Sequence, residues 1–139
     1  MPDAARLERF LDKILDDLGG ALSISLVRIG DRLGLYKALH AHGPMTSAQL
    51  AEKAGIAERY AREWLAQQAA SGYLAYDASS QKFELPEEQA MVFARPDSPV
   101  FMQGAFDVAT VMMKNQPQVE AAFRTGAGVG WGEIGRAHV

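Results

Sequence analysis

The chain has 139 residues, of which 48% are hydrophobic and 22% charged, and its 14 basic and 17 acidic side chains give a net charge of -3. This composition excludes a disordered chain, and the length predicts one folded domain with a tail. The absence of Cys excludes a disulfide framework and a thiolate metal site. A negative net charge also disfavours nucleic acid as a partner, because its backbone carries the same sign.

The first residues of the chain, MPDAARLERF, are charged and contain no apolar signal core. No apolar run in the sequence approaches the ~18 residues that a membrane span requires. We therefore expect a soluble protein of the cytoplasm.

The N-terminal third predicts an amphipathic helical arm. Apolar residues recur at helical spacing from Leu7 to Leu18, with charged residues on the other side. Gly19-Gly20 either interrupts or only weakens this helix, and the stripe then continues while Ile24 and Val27 add a second apolar face. A helix with two apolar faces needs two coverings, which predicts a homodimer. The residues assigned to the dimer interface are Leu22, Leu26, Ile29 and Leu33.

The middle of the chain predicts a winged helix-turn-helix over residues 43–94. Thr46 or Ser47 caps a short helix, and Gly55 stands where a left-handed C-cap is expected. A second helix begins at Glu58 and stops at Gly72. Two strand-like runs, residues 73–76 and 82–85, then flank a polar turn and predict a hairpin wing.

The remainder predicts linker helices over residues 95–132. Before them, at the end of segment 43–94, Pro86 opens a helix, as proline often does in a first turn. Residues 95–99 form a break, and helical spacing resumes from Phe101 to Met112. Pro117 is expected to end or kink this last helix. The fold class is therefore mainly α with a small β-hairpin.

The stretch Gly126–Gly130 reads G-x-G-x-G, a pattern that lets a backbone approach a nucleotide or a methionine-derived cofactor. Such a turn should follow a buried strand and precede, by ~20 residues, an acidic side chain for the ribose. Here residues 120–125 do not have a strand pattern, and only nine residues follow Gly130. A flexible loop is the favoured interpretation.

The second helix of the predicted helix-turn-helix occupies the position of a DNA-reading helix. In residues 58–63 two arginines are balanced by two glutamates, and residues 77–82 of the wing hold one acid and one base. Affinity for DNA comes mostly from neutralising phosphates, so this balance disfavours it. A winged-helix DNA-binding transcription regulator stays the alternative, favoured by the fold and not by the charge.

No residue is assigned a catalytic, cofactor-binding or metal-binding role. His40 and His42 have no third metal ligand in the sequence pattern. Glu87 and Glu88 suit the positive end of a helix dipole better than acid-base catalysis. The sequence also contains no G-x-S-x-G turn or other nucleophile motif.

Several segments together resemble the N-terminal winged-helix domain of bacterial class I S-adenosylmethionine-dependent methyltransferases. The segments are residues 29–39, 43–44, 58–65, 72–74, 86–90, 98–99 and 122–126. The resemblance implies a domain that dimerises and covers the substrate, while cofactor and chemistry belong to a following Rossmann-like domain. It implies S-adenosylmethionine and a small-molecule methyl acceptor for the intact parent, and neither methyl transfer nor cofactor binding by this chain alone.

The resemblance also bears on the organisation of the chain. Residues 1–42 are expected to form the dimerisation arm and residues 95–132 to lead toward the missing cofactor domain. Residues 133–139 do not resemble the family and match one reading frame of a common sequencing adaptor, which predicts a non-native tail. The residues expected at the acceptor pocket or interdomain surface of the intact enzyme are Phe101, Phe106, Met112, Arg124 and Trp131.

Overall fold

The computed structural model describes residues 1–130 and residue 132, so Trp131 and the predicted tail lie outside the described residues. The elements in order are α1 (Ala4–Arg32), α2 (Leu35–His42), α3 (Ser47–Ala54), α4 (Glu58–Ala70), β1 (Ala75–Asp77), β2 (Lys82–Glu84), α5 (Glu87–Phe93), α6 (Gln103–Lys114) and α7 (Gln116–Thr125). Two compact units result, the first ending at Phe101 and the second beginning at Met102. The predicted fold class, mainly α with a small hairpin, is confirmed.

Helix α1 is continuous over 29 residues. Its N-terminus is capped by Asp3, whose carboxylate accepts a hydrogen bond from the Arg6 amide at 3.1 Å. Gly19-Gly20 does not interrupt the helix, although each glycine costs about 1 kcal/mol relative to alanine in a helix interior. The sequence left open whether this pair interrupts the helix or only weakens it, and the continuous helix excludes an interruption.

The core of the first unit lies where the C-terminal part of α1 meets α2, α4 and α5. Val27 is fully buried there, and Tyr36 packs edge-on against Trp64 with ring centroids 5.0 Å apart. Phe93 stacks on the same tyrosine at 4.8 Å. A Cβ on Gly30 would lie 2.4 Å from Trp64 Cζ2, so only glycine allows α1 to approach α4 this closely.

Helices α3 and α4 form the predicted helix-turn-helix. Thr46 caps α3 in a reciprocal capping box with Gln49, which settles the choice between Thr46 and Ser47. Gly55 ends the helix with φ of 66°, the left-handed conformation expected of it. Leu50 and Leu65 are fully buried and join the two helices to the core.

The wing is an antiparallel pair in which Tyr76 lies opposite Phe83. The first strand begins later than predicted, because the amides of Tyr73 and Leu74 donate to the Gln68 carbonyl at 2.9 and 3.3 Å and so belong to the end of α4. The turn is held by Asp77, whose carboxylate accepts from the hydroxyls of Ser79 and Ser80. These bonds lower the pKa of Asp77 to about 2.

The second unit contains α6 and α7. The helix break predicted at Pro117 is present but lies slightly earlier, because α6 ends at Lys114 and Pro117 lies in the first turn of α7. A proline is favoured there, since an amide in the first turn has no partner within the helix. Among the described residues, no helix combines the length and the apolarity that crossing a membrane requires.

Candidate functional site

The N-terminal two thirds of α1, residues 4–22, project from the core and are termed the arm. Every residue from 4 to 20 is exposed. The large apolar side chains exposed along the arm are Leu7, Phe10, Leu11, Ile14, Leu15, Leu18 and Leu22. Such a row of exposed apolar residues on one helix marks an interaction surface.

Of the four residues predicted for the dimer interface, three lie on α1 and Leu33 is its C-cap. Leu22, Ile29 and Leu33 are 72%, 43% and 47% exposed, and Leu26 is half-buried. Val27, one of the two residues of the predicted second face, is instead fully buried in the core. The helix therefore covers one apolar face within its own unit and leaves the other exposed.

A chain of hydrogen bonds fixes α1 and α2 to α4. The Tyr36 hydroxyl donates to Gln68 Oε1 at 2.5 Å, and Gln68 Nε2 donates to Gln67 Oε1 at 2.6 Å. Gln67 Nε2 then donates to the hydroxyls of Ser23 and Ser71 at 3.0 and 2.9 Å. Burial raises the pKa of Tyr36 well above its ordinary value, so the hydroxyl stays a donor.

An open groove of about 850 Å³ lies beside this chain, in the angle between the arm and the end of α4. We call it the glycine groove, because Gly19 and Gly20 form part of its wall. Its other lining residues are Leu15, Asp16, Leu22, Ser23, Ser25, Leu26, Gln67, Ala70, Ser71 and Tyr73.

The N-terminus of α4, which would read DNA in a regulator, carries two arginines and two glutamates in residues 58–63, and Arg62 pairs with Glu58. Glu58 accepts a hydrogen bond from the Ser47 hydroxyl at 2.6 Å and lies 3.8 Å from the Arg62 guanidinium. Tyr60, in the same first turns of α4, is 74% exposed. This surface presents little net positive charge to a phosphate backbone.

The second unit has an apolar cavity of about 530 Å³ between α6 and α7. Its lining residues are Ala109, Met112, Met113, Asn115, Gln116, Val119 and Val129. Asn115 is 6% exposed, and its side-chain Nδ2 has no hydrogen-bond partner among the described residues. An unpaired buried donor costs about 1–3 kcal/mol.

Of the residues predicted for the acceptor pocket or interdomain surface, Met112 lines this cavity. Phe106 is half-buried and Arg124 exposed elsewhere in the second unit, while Phe101 belongs to the first unit. The sequence prediction missed Asn115 and Val119. Helical spacing could not have found them from Met112, because α6 ends at Lys114 and Val119 lies on a separate helix.

The glycine-rich stretch follows a helix, not a strand. Gly126 caps α7 with φ of 74°, and Gly128 has φ of 73°. The sheet formed by the described residues consists of the two wing strands. These residues therefore do not fit S-adenosylmethionine, which requires a strand, a glycine turn and a helix in that order.

A winged helix-turn-helix domain is defined by four features, namely the capped α3, the left-handed turn at Gly55, the helix α4 and the hairpin. Residues 20–95 match the family model described as the Rv2258c-like winged HTH domain. The match spans more than half of the chain, and the chain belongs to this family.

Solved methyltransferase structures share the fold. The mitomycin 7-O-methyltransferase MmcR is 26% identical, with a TM-score of 0.73 over 89% of this chain and 36% of that one. CalO1, a methyltransferase in calicheamicin biosynthesis solved in its SAH-bound form, is 24% identical, with a TM-score of 0.65 over 87% of this chain and 35% of that one. PigF with SAH is 17% identical, with a TM-score of 0.67 over 81% and 36%.

The chain is thus a winged-helix domain that resembles the N-terminal region of O-methyltransferases. It spans 36% of the length of MmcR and of PigF and 35% of that of CalO1. The comparison with curated proteins found no match.

Proposed function

We propose that the intact protein is an S-adenosylmethionine-dependent O-methyltransferase, and that this chain is its dimerisation and acceptor-covering part. The observation that carries the proposal is the likeness to MmcR, which extends over 89% of this chain at 26% identity. The two neighbours solved with SAH support the choice of cofactor for the intact protein.

In this proposal the first unit mediates the association of two copies of the chain. The exposed apolar row of the arm cannot be covered by its own unit, so a second copy covers it. Burying a leucine or isoleucine side chain contributes about 1.5–3 kcal/mol, and several are exposed together. The proposed interface includes the predicted residues Leu22, Leu26, Ile29 and Leu33.

The second unit contributes one wall of the acceptor pocket. Its cavity is lined by Met112 and Met113, and thioether side chains adapt to varied apolar ligands. Phe123, 88% exposed, and Arg124 extend the surface offered to a following domain. Phe101, Phe106 and Trp131 stay proposed for the acceptor pocket or interdomain surface of the intact enzyme.

No chemical step of methyl transfer is assigned to the described residues, because the glycine-rich stretch 126–130 follows a helix and does not fit the cofactor. Their proposed part in catalysis is to exclude water from the acceptor and to orient it. S-adenosylmethionine would supply the methyl group in the domain that follows.

The second candidate is a DNA-binding transcription regulator, which the helix-turn-helix itself favours. Against it stand the pairing of Arg62 with Glu58 and the net charge of -3. The two candidates differ in ligand, one binding a sulfonium cofactor and the other a polyanion.

Titration calorimetry with S-adenosylmethionine tests the proposal. A longer chain that carries the native downstream sequence is expected to bind the cofactor, and the 139-residue chain to give no heat of binding. Absence of binding by the longer chain would overturn the proposal. Micromolar binding by the short chain would place the cofactor site within residues 1–139 and contradict the covering role.

A further inference from the structure

Asn115 stands at the corner between α6 and α7 and borders the cavity of the second unit. It is the C-cap of the first helix and the N-cap of the second. Its backbone amide donates to the Val111 carbonyl at 3.0 Å, and its carbonyl accepts from the Val119 amide at 3.1 Å. The backbone of this residue therefore serves both helices.

The side-chain amide of Asn115 serves neither helix. Asparagine is favoured before a helix because its side chain can accept a hydrogen bond from a first-turn amide, yet Asn115 makes no such bond to α7. Its backbone angles, φ of -90° and ψ of 8°, are not the extended ones from which a capping side chain usually reaches those amides. Asn115 is also 6% exposed, and its Nδ2 has no partner among the described residues. The side chain thus destabilises the fold as an unpaired buried donor, and no capping bond offsets this cost.

The other side chains that border the cavity are uncharged. Five of them are apolar, namely Ala109, Met112, Met113, Val119 and Val129. The sixth, Gln116, has its own amide engaged, because its Nε2 donates to Glu120 Oε1 at 3.2 Å. Among the described lining residues, Asn115 therefore holds the unused buried donor. A charged ligand group placed here would meet no opposite charge in the lining, which disfavours it.

An N–H donor in a mainly apolar wall selects an oxygen that offers a lone pair. A carbonyl oxygen brings no proton of its own, whereas a hydroxyl also brings a donor that the five apolar side chains could not accept. The torsion about the Asn115 Cβ–Cγ bond is broad and roughly two-fold, so rotation there can aim the N–H into the cavity. Thioethers such as Met112 make favourable contacts with aromatic rings. The volume of about 530 Å³ suits such a ligand, since small-molecule sites span ~300–1,000 Å³.

We propose that Asn115 determines the specificity of this cavity, by donating a hydrogen bond from Nδ2 to a carbonyl oxygen of an uncharged aromatic methyl acceptor. The inference rests on the proposed role of the cavity as one wall of the acceptor pocket, and it names the class of acceptor. Two oxygens of the acceptor then have different roles. Its hydroxyl is the group that is methylated, and its carbonyl is the group that Asn115 binds and orients.

Nuclear magnetic resonance of the 139-residue chain tests this bond directly. Asn115 is the one asparagine of the sequence, so labelling asparagine with a heavy nitrogen isotope gives a single side-chain amide signal. The probes are para-hydroxybenzophenone and para-benzylphenol, which differ only in having a carbonyl or a methylene between their two rings. The ketone should shift this signal saturably and bind about tenfold more tightly than the methylene compound. A signal that the ketone leaves in place, or equal binding of the two probes, would overturn the proposal.

A substitution at the same position tests the preference for the ketone. Asn115→Leu removes the donor at similar side-chain size and should reduce the affinity for the ketone to that for the methylene compound. The variant should be at least as stable as the wild type on heating, because it also removes an unpaired buried donor. The matched control, Gln118→Leu, removes an exposed amide of α7 outside the cavity lining and should keep the preference. A preference that survives in Asn115→Leu, or that the control loses equally, would overturn the role of Asn115.

The longer chain, which carries the native downstream sequence, separates this inference from the proposed function. Calorimetry with the same two probes should show the same preference for the ketone there. Loss of the preference in the longer chain would mean that the following domain pairs with Asn115, and would overturn the proposal. Failure of the longer chain to bind S-adenosylmethionine, with the preference intact, would overturn the proposed function and not the recognition by Asn115.

Discussion

The indole nitrogen of Trp64 donates a hydrogen bond to the backbone carbonyl of Leu26 at 2.8 Å. This bond joins the second helix of the helix-turn-helix to α1 four residues before Gly30, the residue that the same indole ring contacts. Leu26 has a helical backbone carbonyl that accepts this additional donor. The direction in which the arm leaves the core is therefore set by Trp64.

The close approach at Gly30 predicts the first variant. Gly30→Ala should destabilise the chain, because the clash with Trp64 costs about 1–3 kcal/mol and exceeds the ~1 kcal/mol gained in helix propensity. Urea denaturation followed by circular dichroism measures the change. Gly19→Ala, studied at concentrations where the chain is monomeric, is the control and should be neutral or stabilising. An equally stable Gly30→Ala variant would contradict the packing described for α1.

The buried series of hydrogen bonds from Tyr36 to Ser71 predicts the effect of a second variant. Tyr36→Phe should lower the free energy of unfolding by about 1–3 kcal/mol, because Gln68 Oε1 loses its donor inside the core. Tyr60→Phe makes the same chemical change at a side chain that is 74% exposed and should have no measurable effect. Equal effects of the two substitutions would show that Gln68 finds another donor.

Tyr36 also predicts a dependence of stability on pH. Its pKa is raised by burial, so the folded chain keeps this proton at pH values where the unfolded chain releases it, above about 10. Stability should therefore be intact below pH 10 and fall as the pH rises beyond it. Denaturation curves from pH 8 to 11 measure the slope. Tyr36→Phe should show a shallower decline, and an identical decline would assign the effect to other groups.

The predicted dimer interface can be tested by placing a charge on it. Leu26→Asp or Ile29→Asp should dissociate the dimer at micromolar concentration, because a carboxylate would be buried without a partner. Sedimentation velocity reports the change in size. Lys37→Asp, on the exposed side of α2, is the control and should leave the dimer intact. A wild-type chain that sediments as a compact monomer would remove the interface altogether.

Much of the fold followed from local chemistry. The capping residue at Thr46, the left-handed Gly55 and the apolar spacing of α4 act within a few residues, so their pattern can be read directly. The start of β1 could not be read from the sequence, because the amides of Tyr73 and Leu74 donate hydrogen bonds to a carbonyl of α4. The break between α6 and α7 was predicted at Pro117 and lies at Asn115, because a proline suits the first turn of a helix and the preceding helix has then already ended.

The surfaces were harder to predict than the elements. The exposed leucines of the arm were anticipated from spacing alone, but the glycine groove depends on how α1 meets α4. The cavity of the second unit likewise depends on the angle between α6 and α7. Both are tertiary features, and the sequence pattern carries only the residues that happen to line them.

Weak DNA binding is the next expectation. Titration of labelled duplex at ~50 mM salt should give no sub-micromolar affinity, because α4 and the wing neutralise few phosphates. Glu58→Gln, which frees Arg62 from its ion pair, should raise the affinity slightly and steepen its salt dependence. Sub-micromolar binding by the unaltered chain, with a steep salt slope, would favour the regulator.

The central claim is that this chain covers the acceptor in a methyltransferase. Its most direct test measures release of S-adenosylhomocysteine by the longer chain, given S-adenosylmethionine and a panel of aromatic compounds that bear hydroxyl groups. We expect release that depends on the acceptor and that falls about tenfold or more in Met112→Glu, since a charge in an apolar pocket is costly, while Val100→Glu in the first unit leaves it unchanged. Acceptor-dependent release that Met112→Glu does not alter, or no release with any acceptor beside tight duplex binding, would contradict the account.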